Sequence, residues 1–95
     1  MSQHETEAAK RERLREQLND THTWPCDFTF KFIVSSDGAG EADLRAIFSD
    51  AATFSFRASR NGRYTAFTIS DSVMSAEEVF NRYESAAKIP GIISL

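Results

Sequence analysis

The side chains most able to do covalent or metal chemistry in this sequence are one cysteine and two histidines. Cys26 lies four residues after His22, and His4 lies near the N-terminus. Pro25 prevents the regular helix that would align positions 22 and 26 on one face. Two ligands would in any case make a weak metal site. A lone cysteine is more commonly a packing group than a nucleophile, so we favour an inert Cys26 and expect no metal.

A pair of carboxylates, Asp37 and Glu41, is a second candidate for acid–base chemistry. A turn and a helix N-terminus account for both more simply. The sequence contains no G-x-S-x-G motif, no phosphate-binding loop and no metalloprotease motif. Acylphosphatases carry an essential arginine in a glycine-rich loop before their first helix. The corresponding loop of this sequence, residues 35–40, contains no arginine. We therefore expect no catalytic residues, no cofactor and no enzymatic activity.

A group of cations could bind a phosphate or a carboxylate. Arg57, Arg60 and Arg63 surround a predicted hairpin, and Lys31 lies on a neighbouring strand. The alternative, which we favour, is that these charges protect a sheet edge from aggregation. The net charge of −3 argues against a dedicated nucleic-acid binder. On the predicted open face only Tyr64 could stack on a base, so nucleic-acid binding is not expected.

The length and composition fit one small globular domain. The chain has 95 residues, of which 41% are hydrophobic and 26% are charged. One cysteine allows no intrachain disulfide. No apolar run approaches the roughly 20 residues of a membrane span, and the N-terminus does not resemble a signal peptide. We therefore expect a protein that does not enter a membrane.

Residues 1–20 form a separate, highly charged segment with nine charged residues and no aromatic residue. We predict a solvated helix that frays at residues 1–6, with Leu14 and Leu18 on one face. A polar tail that ends in a short helix docked on the domain is the preferred interpretation, and a partner-binding helix is the alternative. The domain itself is predicted to span residues 21–95.

Hydrophobic periodicity then predicts six elements. Alternating phenylalanines predict a strand around residues 28–34, and an apolar stripe predicts a helix around 44–51. Asn61-Gly62 separates two strands at 53–59 and 63–70. Ser75 and Glu78 match a capping box at the start of a helix that runs to about residue 88. Residues 92–95 form a last strand.

This order is typical of an α+β, ferredoxin-like βαββαβ fold, with an antiparallel sheet of order 4-1-3-2 and both helices on one face. A two-residue type I′ turn would place Phe56 opposite Phe67 and Phe54 opposite Ile69. The helix-covered face would then hold Phe28, Phe30, Phe32, Phe54, Phe56, Phe67 and Ile69. The helices would pack on that face through Leu44, Ile47, Phe48 and Ala51, and through Ala76, Val79, Phe80, Tyr83, Ala86 and Ala87. The open face would carry Thr29, Lys31, Ile33, Ser55, Arg57, Tyr64, Ala66 and Thr68.

Several short motifs, in this order and spacing, resemble the YbeD-like proteins, a family of unknown function with an ACT-like fold. The resemblance covers residues 24–95. It rests on Trp24-Pro25-Cys26-Asp27-Phe28-Thr29-Phe30-Lys31, Ser59-Arg60-Asn61-Gly62-Arg63-Tyr64, Thr68-Ile69, Tyr83-Glu84 and Lys88-Ile89. The first helix looks about a turn shorter than the family pattern, and the charged N-terminal extension is longer.

The resemblance implies a bacterial, cytoplasmic protein with a regulatory role around lipoate metabolism. ACT domains bind small effectors at the loop between the first strand and the first helix, usually across a dimer interface. In this sequence that loop contains Asp37, Gly38 and Gly40, and glycines allow a ligand to approach the backbone amides.

We therefore expect a small non-enzymatic regulatory or interaction module that binds a small effector or a protein partner, with a homodimer as the implied assembly. The alternative is an anion or nucleic-acid binder that uses Lys31, Arg57, Arg60 and Arg63.

Overall fold

A computed structural model describes residues 5–95 of the chain. Its elements follow in the predicted order, after one N-terminal helix. They are α1 (Glu7–Thr21), β1 (Cys26–Ser35), α2 (Gly40–Ile47), β2 (Thr53–Ala58), β3 (Tyr64–Val73), α3 (Ala76–Ala86) and β4 (Ile93–Ser94). The predicted fraying at residues 1–6 falls partly on residues 1–4, which lie outside the described residues.

The four strands form one antiparallel sheet of order β2-β3-β1-β4. Read from the other end, this is the predicted order 4-1-3-2, and the ferredoxin-like fold is confirmed. The most aromatic strand, β1, lies in the interior of the sheet between β3 and β4. Phe30 lies opposite Ile69 and Phe32 opposite Phe67, so the two central strands place their apolar side chains on one face.

The core lies between that sheet face and the two helices α2 and α3. Its aromatic rings are closely packed, with centroids 5.0 Å apart for Phe30 and Phe48 and 5.3 Å for Phe30 and Tyr83. The buried hydrophobic residues are Phe30, Phe32, Val34, Leu44, Phe48, Phe67, Ile69, Val73, Ala76, Val79, Ala86 and Ile89. Four of these twelve residues are phenylalanines, and Phe30, Phe32 and Phe67 are the largest fully buried side chains, so phenylalanine supplies the bulkiest part of the buried apolar surface.

The core prediction is wrong for Phe56, whose side chain is 66% exposed. β2 is one of the two outer strands of the sheet, and α2 ends at Ile47. The guanidinium of Arg45 lies 4.5 Å from the ring centroid of Phe54 and covers it. Phe56 lies two residues further along β2, where its ring contacts Phe67 with the two centroids 5.8 Å apart.

The prediction of the buried helix faces is also wrong for two alanines. Ala51 and Ala87 are exposed, because α2 ends at Ile47 and α3 ends at Ala86. The apolar periodicity of the sequence continues past the end of each helix, by four residues after α2 and by one residue after α3.

The hairpin has the predicted register but a different turn. Phe54 pairs with Ile69, Phe56 with Phe67 and Ala58 with Thr65. A type I′ turn needs positive φ at both central residues, and only Gly62 has it, at 75°. The Asn61 carboxamide oxygen instead accepts hydrogen bonds from the Arg63 amide and the Ser59 hydroxyl. These bonds stabilise a loop that is longer than a two-residue turn and in which only Gly62 has a left-handed backbone conformation.

Helix α1 is docked against α3, as the preferred interpretation predicts. Arg11 and Arg15 lie over the Phe80 ring, at 4.6 and 5.8 Å from its centroid. Both arginines pair with Glu77, and Arg11 also pairs with Glu84. No residue of α1 is fully buried, so charge and cation–π contacts supply much of this attachment.

Candidate functional site

The loop before α2 and the β2–β3 hairpin meet at one end of the sheet. β1 and β3 are antiparallel neighbours, and their ends Ser35 and Tyr64 lie opposite each other. The Ser36 amide donates to the Arg63 carbonyl oxygen at 2.9 Å, and the Ser36 and Thr65 hydroxyls lie 2.8 Å apart. The predicted effector loop and the predicted cationic hairpin are therefore two walls of one polar cleft.

This cleft has a volume of about 470 Å³ and is lined by groups from both loops. Asp37 lies on one wall, and Asn61 and Arg63 lie on the other. The Asp37 carboxylate accepts a hydrogen bond from the Ser35 hydroxyl. Within the described part of the chain, the Arg63 guanidinium forms no ion pair. The cleft therefore places one carboxylate and one guanidinium within reach of a small polar molecule.

The two glycines of the predicted effector loop have different surroundings. A Cβ at Gly40 would lie 2.8 Å from the Cβ of Val34, so the start of α2 requires glycine in order to pack on β1. A Cβ at Gly38 would meet nothing closer than 4.0 Å, at the Ser35 carbonyl oxygen. Close packing thus explains Gly40 without a ligand.

The four predicted anion-binding cations are all exposed, but they do not converge on one pocket. Lys31 lies opposite Thr68 on β1, whereas Arg57 belongs to β2, two strands away. Two strand spacings amount to about 10 Å between their backbones. Arg60 and Arg63 follow in the hairpin loop. None of the four forms an ion pair within residues 5–95.

The charge of the β2–β3 region is nevertheless unusual. Residues 51–70 contain no carboxylate and three arginines, a charge of +3. Since the whole chain carries −3, the other residues together carry −6. The edge strand and its hairpin therefore form a cationic region on an otherwise acidic protein, which concentrates attraction for an acidic partner there.

Among residues 5–95, β2 has no neighbouring strand along its outer edge. Its six residues pair with β3 without interruption. Ladder bonds in an antiparallel pair involve every second residue. The Ser59 amide donates to the Tyr64 carbonyl oxygen at 2.8 Å, so Arg57, Ser55 and Thr53 also point their backbone groups towards β3. The backbone N–H and C=O groups of Phe54, Phe56 and Ala58 therefore point outward.

The open face of the sheet carries mostly polar side chains, but it has an apolar area at one end. Ala66, Ile33 and Ile93 form one row across β3, β1 and β4. With Tyr64 and Arg57 they line a shallow hollow of about 380 Å³. This hollow adjoins the hairpin but lies on the face opposite Phe56.

The sequence prediction missed a buried ion pair. Asp71 is 4% exposed, and its carboxylate lies 3.3 Å from a guanidinium nitrogen of Arg82. The Ser49 hydroxyl and amide donate to the same carboxylate, at 2.6 and 3.0 Å. Burial opposes ionisation of Asp71, but the hydrogen bonds from Ser49, the charge of Arg82 and the Ser72 amide together hold its pKa below the ordinary value.

Arg82 also contacts the end of α2 and the residue that follows it. It donates to the Ile47 carbonyl oxygen at 2.6 Å and lies 5.2 Å from the ring centroid of Phe48. The Asp71–Arg82 pair thus joins the end of α2 to β3 and α3. An aspartate at an inward position of β3, in line with Phe67 and Ile69, was the sequence signal for this pair.

The other candidate residues, Cys26 and His22, do not form part of a metal site within residues 5–95. No group of three or more potential metal ligands occurs there. Cys26 is half-buried and packs against the core, and His22 stacks on Trp24 with ring centroids 5.5 Å apart. None of the helices in this part of the chain is long and apolar enough to cross a membrane.

Comparison with known proteins identifies a family. Residues 19–95 match the model of a family described as a protein of unknown function, DUF493, and the chain belongs to this family, as the YbeD-like resemblance predicts. The solution structure of protein HP0495 from H. pylori is similar, with a TM-score of 0.64 and 17% sequence identity. That match covers 78% of this chain and 85% of the other, and it supports the fold. No curated protein matches the chain.

Proposed function

We propose that this member of the DUF493 family is a non-enzymatic interaction module that binds a partner protein at the β2 edge. By the β2 edge we mean the outward backbone of residues 54–58 together with the side chains of Phe56, Arg57 and Arg60. Binding there would regulate or position the partner.

The observation that carries this proposal is a regular strand whose outer edge is unpaired within residues 5–95 and which also exposes a large aromatic side chain. Open sheet edges are templates for pairing with another chain. Phe56 is 66% exposed beside this edge, and aromatic residues and arginine are enriched at protein interfaces. Edge protection, the interpretation favoured from sequence, explains the arginines but leaves an exposed phenylalanine on a strand without proline or bulge.

Site-specific photo-crosslinking in the native cells tests the proposal. A photoreactive residue in place of Phe56 should form adducts with a partner protein. The matched control is the same residue in place of the exposed Ala87, which follows α3. Adducts from position 56 alone support the proposed surface. Adducts from position 87 alone would contradict it.

A second candidate function is the binding of a small effector in the cleft between the loop before α2 and the hairpin. The supporting observation is that Asp37 and Arg63 line the same cleft. A carboxylate and a guanidinium suit a small zwitterion such as an amino acid.

The regulatory role around lipoate metabolism, the cytoplasmic location and the homodimer stay expectations of the YbeD-like resemblance.

Thermal unfolding in the presence of amino acids and lipoate-related acids tests this second function. A ligand at 100 times its Kd stabilises the folded state by about 2.7 kcal/mol, which is easily measured. Arg63→Gln should remove the stabilisation, whereas Arg60→Gln, outside the cleft lining, should retain it.

Anion or nucleic-acid binding by Lys31 and the three arginines is less well supported, because these cations are spread over two strands and a loop.

A further inference from the structure

We infer that the partner segment at the β2 edge is an extended acidic strand, with alternating acidic and apolar side chains, that adds to the sheet beside β2. This inference rests on the proposed function and specifies the chemistry of the partner.

The backbone determines the shape of the segment. Phe54, Phe56 and Ala58 each point one N–H and one C=O outward, as the alternation from the Ser59–Tyr64 bond requires. Six backbone groups in a row match an extended segment of about six residues. A helix satisfies its own backbone groups and could not use them.

The side chains on the two sides of β2 determine the sequence pattern of the segment. On the helix side, an incoming strand would lie beside Phe56, so an apolar side chain there would bury its exposed ring. On the open side, the strand would lie beside Arg57, which favours an acidic side chain. Successive strand residues point to opposite faces, so the acidic and apolar positions alternate.

The charge distribution selects this partner over other strands. The segment 51–70 carries +3 and the other residues together carry −6. An acidic strand is therefore attracted to the β2 edge and repelled by the remaining surface. Pairing of β2 with β2 of a second copy would instead bring two cationic segments together, which disfavours that occupant.

A fluorescently labelled peptide of alternating glutamate and valine, eight residues long, tests the inference by anisotropy up to about 1 mM, where a weak complex is still detectable. A peptide of the same composition with all glutamates before all valines tests the pattern. We expect the alternating peptide to bind at least tenfold more tightly than the block peptide. Affinity should fall as salt rises, because the arginines are exposed.

Two pairs of variants locate the binding on β2. Ala58→Pro removes an outward N–H without removing a bond to β3, and proline is tolerated at such edge positions. It should weaken binding at least tenfold, whereas Ala58→Val retains the N–H and should stay within twofold. Arg57→Gln should weaken binding severalfold and flatten its salt dependence. Lys88→Gln, at an exposed cation after α3, should change neither. Circular dichroism of each variant verifies that it is folded.

Equal affinity of Ala58→Pro and Ala58→Val, equal affinity of both peptides, or no binding at 1 mM would overturn the inference. A dimer of the protein alone that Ala58→Pro dissociates would also overturn it, in favour of a second copy. If crosslinks from position 56 persist when the peptide does not bind, only the strand chemistry is wrong. If both are absent, the proposed function fails as well.

Discussion

At the scale of single residues, two phenylalanines on the same sheet face should contribute very differently to the free energy of unfolding. Phe30 is fully buried on the central strand, whereas Phe56 lies on the outer strand with its ring mostly in water. Phe30→Ala should lower the free energy of unfolding by about 3–5 kcal/mol. Phe56→Ala should cost less than about 1 kcal/mol. Urea unfolding measures both, and losses of equal size would contradict the assigned burial.

The buried carboxylate of Asp71 makes a prediction about pH. Its folded-state pKa lies below the ordinary value of 3.8, so its ionised form stabilises the fold above that pH, and the stabilisation is lost as pH falls through the folded-state pKa. Removing one partner of a buried ion pair is strongly destabilising. Asp71→Asn should therefore cost about 3 kcal/mol at pH 7 and progressively less below about pH 3.8.

Urea unfolding from pH 7 to pH 2.5, with Asp27→Asn as the control, measures this effect. Asp27 is exposed on β1, so its substitution should change the free energy of unfolding little. A cost for Asp71→Asn that stayed constant over the whole pH range would show that the charge of Asp71 does not contribute.

At the scale of elements, the contact between α2 and β1 depends on one glycine. A Cβ at Gly40 would overlap Val34, a stiff β-branched residue in the core, so Gly40→Ala should destabilise the protein by about 1–3 kcal/mol. Gly38→Ala, in the same loop but in open space, should stay within about 0.5 kcal/mol. Chemical unfolding of the two variants compares them directly, and equal stability would mean that α2 does not pack so closely.

Ion pairs contribute to the attachment of helix α1, so its stability should depend on salt. Arg11 and Arg15 hold it to α3 through Glu77 and the Phe80 ring. We predict that α1 amides exchange with solvent faster than those of β1 and β3, and faster still in 1 M NaCl, because salt screens exposed ion pairs.

The variant Arg11→Gln/Arg15→Gln should reproduce this loosening at low salt. Arg13→Gln serves as its control, because Arg13 pairs with Glu5 at the N-terminal end of the described residues and not with α3. Exchange from α1 as slow as from β1 at all salt concentrations would show that apolar packing, chiefly through Leu18, is sufficient to hold it.

At the scale of the whole molecule, periodicity and turn residues predict the element order, the sheet order and the hairpin register, because these follow from local pattern and chain connectivity. They do not predict how far a helix extends across the sheet, and for this reason the core prediction for Phe56 is wrong. The ion pair of Asp71 with Arg82 joins residues on different elements, and only the folded arrangement reveals it. The charge asymmetry is visible in the sequence, but its place at an open edge requires the sheet order.

The most direct test of the account is amide hydrogen exchange along β2 with and without the alternating glutamate–valine peptide. If the peptide adds as a strand beside β2, the outward amides of Phe54, Phe56 and Ala58 should become at least tenfold more protected at saturating peptide. The amides of Ser55 and Arg57, which already face β3, provide an internal comparison and should change less. Peptide binding that leaves all three outward amides as fast as before would contradict strand addition at the β2 edge.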